Sequence, residues 1–245
     1  MKRLFFLLLM NISLFATCLY AGYDLDKYFP TSQKDIWDYS MVEYDIGQEA
    51  SKHEGDIGVE VRFLEGGAEY GLHGAARMLI KYSDGERNEY FISKDSEGIK
   101  VSKFVKENNY YSVFEPPFLL LPSKINEGET REYSGIVTYF DSDKEKGKAK
   151  IKRELTMNGL EDVETKAGVF KSCVRIYVKE VINKENGEVK NKFYTFWFSP
   201  EVGEVKEVVR TITFRLVENE YKKTSSDEST MELKRTTVNG RSFGN

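Results

Sequence analysis

Histidine, cysteine and paired acids do most side-chain chemistry near neutral pH, and this chain is sparing with the first two. It holds two histidines, His53 and His73, and two cysteines, Cys18 and Cys173. His53-Glu54-Gly55-Asp56 has the residue types of a metal cluster. It lies in a polar, Gly-containing stretch, however, without the strand or helix spacing that makes ligands converge, and reads as loop side chains beside acids. His73 sits near the end of Gly66-Gly67-Ala68-Glu69-Tyr70-Gly71-Leu72-His73-Gly74. A phosphate loop needs a Gly-Lys-Ser/Thr ending before a helix, so bulges and tight turns of a curved sheet account better for these glycines. Cys173 as a nucleophile would need a histidine base or a strongly positive setting. Its alternation with Val174 marks it as a small buried hydrophobe. There is no Gly-x-Ser-x-Gly elbow, and among 40 acids chance pairs are too numerous to single out a glycosidase dyad. The expectation is no catalytic residue, no metal site and no cofactor.

Two apolar features do call for a role. In Phe193-Tyr194-Thr195-Phe196-Trp197-Phe198, strand alternation sends Tyr194, Phe196 and Phe198 to one face and Phe193 and Trp197 to the other. A large aromatic buries roughly 150–250 Å², worth about 4–6 kcal/mol at about 25 cal/mol/Å². Both faces should therefore be covered, under a loop or around a ligand cavity. In Pro117-Phe118-Leu119-Leu120-Leu121-Pro122, four large apolar side chains stand between prolines. They form either a plug over one end of the sheet or a lip that touches lipid, an apolar ligand or a partner protein. Such a plug could also cover the second aromatic face. The residues expected to form a ligand wall are Phe118, Leu119, Leu120, Tyr194, Phe196 and Phe198.

The elements that must position these groups are strands. Helical periodicity is nearly absent and two-residue alternation recurs. Val174, Ile176 and Val178 oppose Arg175, Tyr177 and Lys179; Val59, Val61 and Phe63 oppose Glu60 and Arg62. In 205–217, Val208, Ile212, Phe214 and Leu216, with Arg210, oppose Val209, Thr211, Thr213 and Arg215, the first set facing the core. Asp84-Gly85, Glu97-Gly98, Asn158-Gly159 and Asn186-Gly187 are turn signals. The charged segment 141–150 reads as a long solvated hairpin tip. Because proline cannot donate to a ladder, 114–122 is not expected inside a central strand, and it separates strand sets at about 35–114 and 130–217. Residues 222–230 read as a polar loop before a last short strand at 231–237. The fold expected is all-β and antiparallel, a strongly curved sheet or open barrel of about ten to thirteen strands, with two sub-sheets as a variant.

The first 21 residues stand apart. Lys2 and Arg3 precede the uncharged stretch 4–19, the layout of a secretory signal peptide. The stretch is short for a bilayer, which takes about 20 apolar residues. Cleavage is expected after Ala21, leaving 22–245 as a single β domain; an uncleaved anchor is the alternative. Cys18 raises a further one, a lipid anchor, although Phe15 and Thr17 stand where Leu and a small residue are usual. Losing Lys2 and Arg3 takes the formal net charge from −4 to −6, and an acidic chain without a basic stripe argues against nucleic acid. Cys173 alone forms no internal disulfide.

Four segments resemble an exported bacterial family of unknown function with TapB-like members. They are Tyr28-Phe29-Pro30 with Ile36-Trp37-Asp38-Tyr39; Leu121-Pro122 with Gly128-Glu129-Thr130, where Arg131 replaces the usual aromatic; Gly159-Leu160-Glu161-Asp162-Val163 with 167–173; and Trp197-Phe198-Ser199-Pro200-Glu201-Val202-Gly203-Glu204-Val205. The resemblance implies export, a β-rich fold and no established activity, and by looser analogy the half-barrels of periplasmic lipoprotein carriers. The matching residues look structural: Gly168 and Gly203 for backbone geometry, Phe170 and Trp197 for packing.

Together these readings give an expected non-catalytic, exported cell-envelope protein, periplasmic or outer-membrane associated, that holds a lipid or other apolar ligand. The alternative is an assembly module for other envelope proteins, and the third reading is an envelope hydrolase. A cavity of about 300 Å³ or more lined by the aromatics would favour the carrier. Because neither histidine has converging partners, a double alanine replacement of His53 and His73 is expected to leave folding and ligand binding unchanged. Lost binding in a folded double variant would show that a histidine has a role.

Overall fold

The computed structural model describes residues 23–29, 35–45, 52–64, 76–106 and 109–244, with 52–64 apart from Glu60 described by backbone alone. In chain order the strands are β1 (Tyr23–Asp24), β2 (Ile36–Asp45), β3 (Lys52–Leu64), β4 (Ala76–Tyr82), β5 (Arg87–Lys94), β6 (Gly98–Lys106), β7 (Tyr110–Pro122) and β8 (Lys124–Ile125). They continue with β9 (Thr130–Asp141), β10 (Lys144–Thr165), β11 (Gly168–Lys184), β12 (Glu188–Ser199), β13 (Gly203–Val217), β14 (Glu220–Val238) and β15 (Arg241–Phe243). A single 3-10 turn, Leu25–Tyr28, is the only helical element among the described residues.

Thirteen strands form one antiparallel sheet in the order β13-β12-β11-β10-β9-β7-β6-β5-β4-β3-β2-β14-β15, and β13 also pairs with β14. That extra ladder joins the ends of the sheet. β14 is bonded to β13 from Lys206↔Glu232 to Val217↔Glu220 and to β2 from Asp227↔Asp45 to Thr237↔Ile36. The expected strongly curved antiparallel sheet is thus a ring of strands that mostly follow one another by hairpins, an up-and-down barrel. β7 pairs directly with β9, from Tyr110↔Asp141 to Glu115↔Ile136, so the strand sets on either side of 114–122 belong to one continuous sheet.

Alternation accounts for the walls. Val174, Ile176 and Val178 of β11 are fully buried, as their period requires. β13 corrects its expected facing. Tyr194 lies opposite Val209 and Phe196 opposite Glu207, and directly paired residues share a face. The inward set is therefore Glu207, Val209, Thr211 and Thr213, with Val208, Arg210, Ile212 and Phe214 outward. Apolarity alone chose the wrong side because the barrel interior is polar along this wall. The facing of Val59, Val61 and Phe63 lies outside the described side chains.

Four other expectations change. The 141–150 tip shrinks to Ser142 and Asp143, whose φ values of 49° and 66° make a tight two-residue hairpin. The charges of 144–150 instead decorate a paired strand, with Lys146 beside Asp141 and Lys148 beside Glu145. Asn158-Gly159 is no turn but an irregularity within β10, where the ladder to β11 slips between Met157 and Leu160. Residues 222–230 belong to β14, paired with β13 and from Asp227 also with β2, since their Ser, Thr and charged side chains suit a strand as well as a loop. His53 lies in β3, paired with Glu43, while His73 lies outside the described residues, as do the leader and Cys18.

The proline segment also belongs to a strand, β7, but Pro116 and Pro117 fall where both ladders lapse, and Pro122 is the strand's last residue, opposite Gly98. Pairing to β9 ends at Glu115, and pairing to β6 jumps between Val101↔Phe118 and Lys103↔Val113. Here the missing donors cost nothing, and the Pro116 carbonyl accepts a hydrogen bond from the Tyr133 hydroxyl.

One end of the barrel is plugged from three directions. β1 pairs with β8 (Tyr23↔Ile125), and Leu25 donates its N–H to the Ser123 carbonyl at 2.8 Å. Leu25 and Ile125 are each 1% exposed. The β10–β11 hairpin folds over so that the Ala167 N–H reaches the Leu233 carbonyl on β14 at 2.9 Å, with Phe170 against Phe243. Val202 and Val205, at the start of β13, complete this core with Trp37, Met157, Val163 and Val238.

Gly98, where β6 starts against Pro122, shows how tight this end is. A Cβ there would lie 2.1 Å from the Leu121 carbonyl oxygen, at a φ of +144°. Gly98→Ala is expected to cost about 2 kcal/mol or more. Gly85→Ala, whose Cβ would meet nothing within 4 Å, should cost clearly less. Equal losses in urea titration would show that the close approach is not what demands glycine.

Candidate functional site

Above the plug the walls part around a cavity of about 410 Å³. Its aromatic lining comes from opposite sides of the ring: Trp37 and Tyr39 from β2, Tyr90 and Phe104 from β5 and β6, Phe114 and Phe118 from β7, and Tyr194, Phe196 and Phe198 from β12. The rings on β12 form a ladder, Tyr194 stacked on Phe196 at 5.5 Å and Phe196 tilted on Phe198 at 5.9 Å. Tyr90 meets Phe104 at 4.7 Å, and Phe114 meets Phe118 at 5.1 Å. Five of the six expected wall residues, Phe118, Leu120, Tyr194, Phe196 and Phe198, line this space. Leu119 does not; it stands opposite Lys100, and the register slip at Leu120 lets Leu121 line the cavity as well.

Five charged side chains share the lining: Arg153 of β10, Glu180 of β11, Lys192 of β12, and Glu204 and Glu207 of β13. Sequence reasoning missed them. Their signal was phase: Arg153 stands in the inward series of Ile151 and Leu155, Glu180 follows Val178 two residues on, and Lys192 precedes Tyr194 by two.

Arg153 and Glu180 form an ion pair, Nη1 to Oε2 at 3.5 Å, with both side chains almost wholly buried. The guanidinium also lies over the Phe118 ring at 4.7 Å and the Tyr194 ring at 5.7 Å, so aromatic faces replace part of its lost hydration. The Tyr194 hydroxyl donates to Glu180 Oε1 at 3.4 Å. Removing one partner would strand the other charge in a poorly hydrated interior.

Glu204 and Glu207 owe their aim to a bulge. Phe198 pairs with Glu204 and Trp197 with Lys206, which leaves Val205 unpaired and turns both acids inward. The disturbed backbone is tied from across the barrel. Trp37 Nε1–H donates to the Val202 carbonyl at 2.7 Å, and the Tyr39 hydroxyl donates to the Glu204 carbonyl at 3.0 Å. Both acids keep some accessible surface, but it faces the cavity, so they titrate as buried groups. Burial pushes the Glu207 carboxyl up to about 7, against the pull of Lys192 and Arg153. Burial, and after it the charge of Glu207, raises Glu204 well above the usual carboxylate range. Burial likewise raises the hydroxyls of Tyr39, Tyr90 and Tyr194.

Toward the other end the character changes. Glu188 lies 2.7 Å from the Lys184 ammonium, 3.7 Å from Lys190 and 3.6 Å from Arg215, and Lys184 leads in holding its carboxyl below the ordinary value. Cys173 sits in the plug, fully buried. Burial pushes its thiol up to about 11, the opposite of an activated nucleophile. Among the described residues no group of three or more His, Cys, Asp or Glu side chains could hold a metal ion. Gly168 and Gly203 have φ values of 127° and 98°, and Phe170 is 7% exposed.

The raised Glu207 has a stability consequence. A carboxyl near 7 in the folded chain and near 4.5 unfolded binds its proton more tightly when folded. Its contribution is fully present below pH 4.5 and is lost as pH rises through 7. Glu207→Gln is expected to match the parent near pH 4.5 and to melt a few degrees higher at pH 8, at about 2–4 °C per kcal/mol for a chain of this size. Parallel melting curves across that range would mean that Glu207 is not a titrating interior group.

No family model matches the chain, so none matches the TapB-like resemblance, and no curated protein matches it either. Among solved structures, a provisionally assigned lipoprotein from Parabacteroides distasonis is similar at 15% identity and a TM-score of 0.42, over 84% of this chain and 98% of that one. At that distance, this chain's own fold and cavity carry the functional reading.

Proposed function

We propose that this protein is a non-catalytic binding or carrier protein of the cell envelope that holds a small apolar ligand or lipid group inside its barrel. The observation that carries the reading is the 410 Å³ aromatic-lined cavity. It lies within the range of about 300–1,000 Å³ typical of small-molecule sites, and it combines a mainly apolar wall with a few fixed polar groups. A filled interior would have favoured the assembly module.

Two further features support a carrier that works in water. The outward faces of β10 and β11 carry exposed charges, Lys150, Lys152 and Lys179, with Lys152 paired to Glu132 at 3.5 Å and Glu154 at 2.8 Å. A barrel that spans a bilayer needs an apolar band there. The Cys173 thiol is buried and raised to about 11, which favours binding over hydrolysis by a thiol nucleophile. Export follows from the leader at 1–21, with cleavage after Ala21, or from lipid attachment at Cys18 in the alternative; either leads to the periplasm or the outer membrane.

Native mass spectrometry of protein isolated from its own envelope is the direct test. A retained lipid or other apolar mass is expected; a clean apo mass with a co-purifying protein would favour the assembly module instead. Phe196→Ala should weaken binding of the neutral fluorophore N-phenyl-1-naphthylamine by about tenfold, or about 1.4 kcal/mol. Leu119→Ala, outside the lining, should leave it unchanged. Equal effects of the two would place the probe elsewhere on the protein.

A further inference from the structure

The charged groups of the cavity do not balance. Two cations, Arg153 and Lys192, face three carboxyls, Glu180, Glu204 and Glu207. Arg153 is taken up by Glu180, and Lys192, the register partner of Glu180 on the neighbouring strand, acts on Glu207 together with Arg153. Glu204 is left over. Its Oε1 is shut off from solvent and has no hydrogen-bond partner. A buried acceptor of this kind is costly to leave unsatisfied, and the bulge at Val205 turns the Glu204 side chain, with that of Glu207, to the lining of a space walled by aromatic rings. Tyr39 approaches from β2, Tyr90 from β5 and Tyr194 from β12, and each feels the charge of Glu207. Phe198 stands directly opposite Glu204 and Phe196 opposite Glu207.

Aromatic faces around surplus carboxyl groups are the chemistry that selects an organic cation: the ring quadrupoles attract it, and its charge draws the desolvated acids into their ionised form. A carboxylate ligand would forfeit the attraction of the ring faces, and a purely neutral one would bring the acids no counter-charge. Resting on the carrier reading above, we propose that the ligand is an alkylammonium-type molecule. Its cationic head lies against Glu204 and Glu207 near the plug, and its apolar body lies along Tyr194, Phe196 and Phe118.

Three probes with the same chain separate this inference from the reading it rests on: octylammonium, 1-octanol and octanoate, each displacing N-phenyl-1-naphthylamine from the full barrel at pH 7.5. Octylammonium is expected to bind at least about tenfold more tightly than octanol, with octanoate weakest. Glu204→Gln and Glu207→Gln, near-isosteric changes, should each reduce the ammonium preference severalfold, and together bring it within about threefold of octanol. Octanol affinity should be retained in both, which also shows that the barrel still folds. Octanol binding as tightly as octylammonium, or an ammonium preference that survives the double replacement, would overturn the cation assignment while leaving the apolar carrier standing. Failure of all three to displace the probe would overturn both.

Discussion

Everything in this molecule depends on one strand being bonded along both edges. β14 is rich in Ser, Thr, Lys and Glu, with little apolar surface to hold it in place. Its backbone donors and acceptors are nevertheless claimed by β13 on one side and β2 on the other. A sheet of this length would otherwise end in two long unpaired edges, open to association with other chains. Closing the ring removes both edges and sets the interior volume. Eight strands enclose just enough room for their own side chains or one small ligand; a dozen enclose more, and here one end is filled by added segments while the middle stays open.

The interior divides by polarity along the barrel axis. At the plug, Leu25, Ile125, Met157 and Val205 are packed almost without exposure, and the polar atoms near them are backbone groups that find partners across the ring, as with Trp37 and Val202. In the middle, charges are tolerated because rings surround them. Arg153 lies against two aromatic faces and one carboxylate, which offsets part of the desolvation that makes buried ion pairs weak contributors to stability. Toward the far end, Lys184, Lys190 and Arg215 gather on Glu188, an arrangement that bulk water also screens. The bulge in β13 sits at the boundary between plug and cavity and sends two acids to the cavity side.

Much of this was legible from residues alone, for physical reasons. The β11 alternation of Val174, Ile176 and Val178 against Arg175, Tyr177 and Lys179 has one reading, because a charged set and an aliphatic set cannot exchange faces in a strand with a dry side. The aromatic face of β12 was equally plain. β13 misled because its more apolar face is the outward one, and only the neighbour opposite each residue decides which is inside. Residues 222–230 misled because polar composition describes side chains, whereas strand membership was decided by backbone partners, in β13 along the segment and in β2 from Asp227 onward. Pro116 and Pro117 obeyed the rule against ladder proline at a lapse within a strand, and Pro122 at its end. The interior charges could have been found by following phase past the last hydrophobe of each strand.

The route by which the chain enters the barrel has a geometric consequence. Tyr23 and Leu25 are locked into the plug through Ile125 and Ser123, which puts the first described residue at the plugged end. A tether attached on that side would hold the molecule by its base. The rim bearing Lys184, Lys190 and Arg215 would then point away from the anchoring surface, toward molecules arriving through solution.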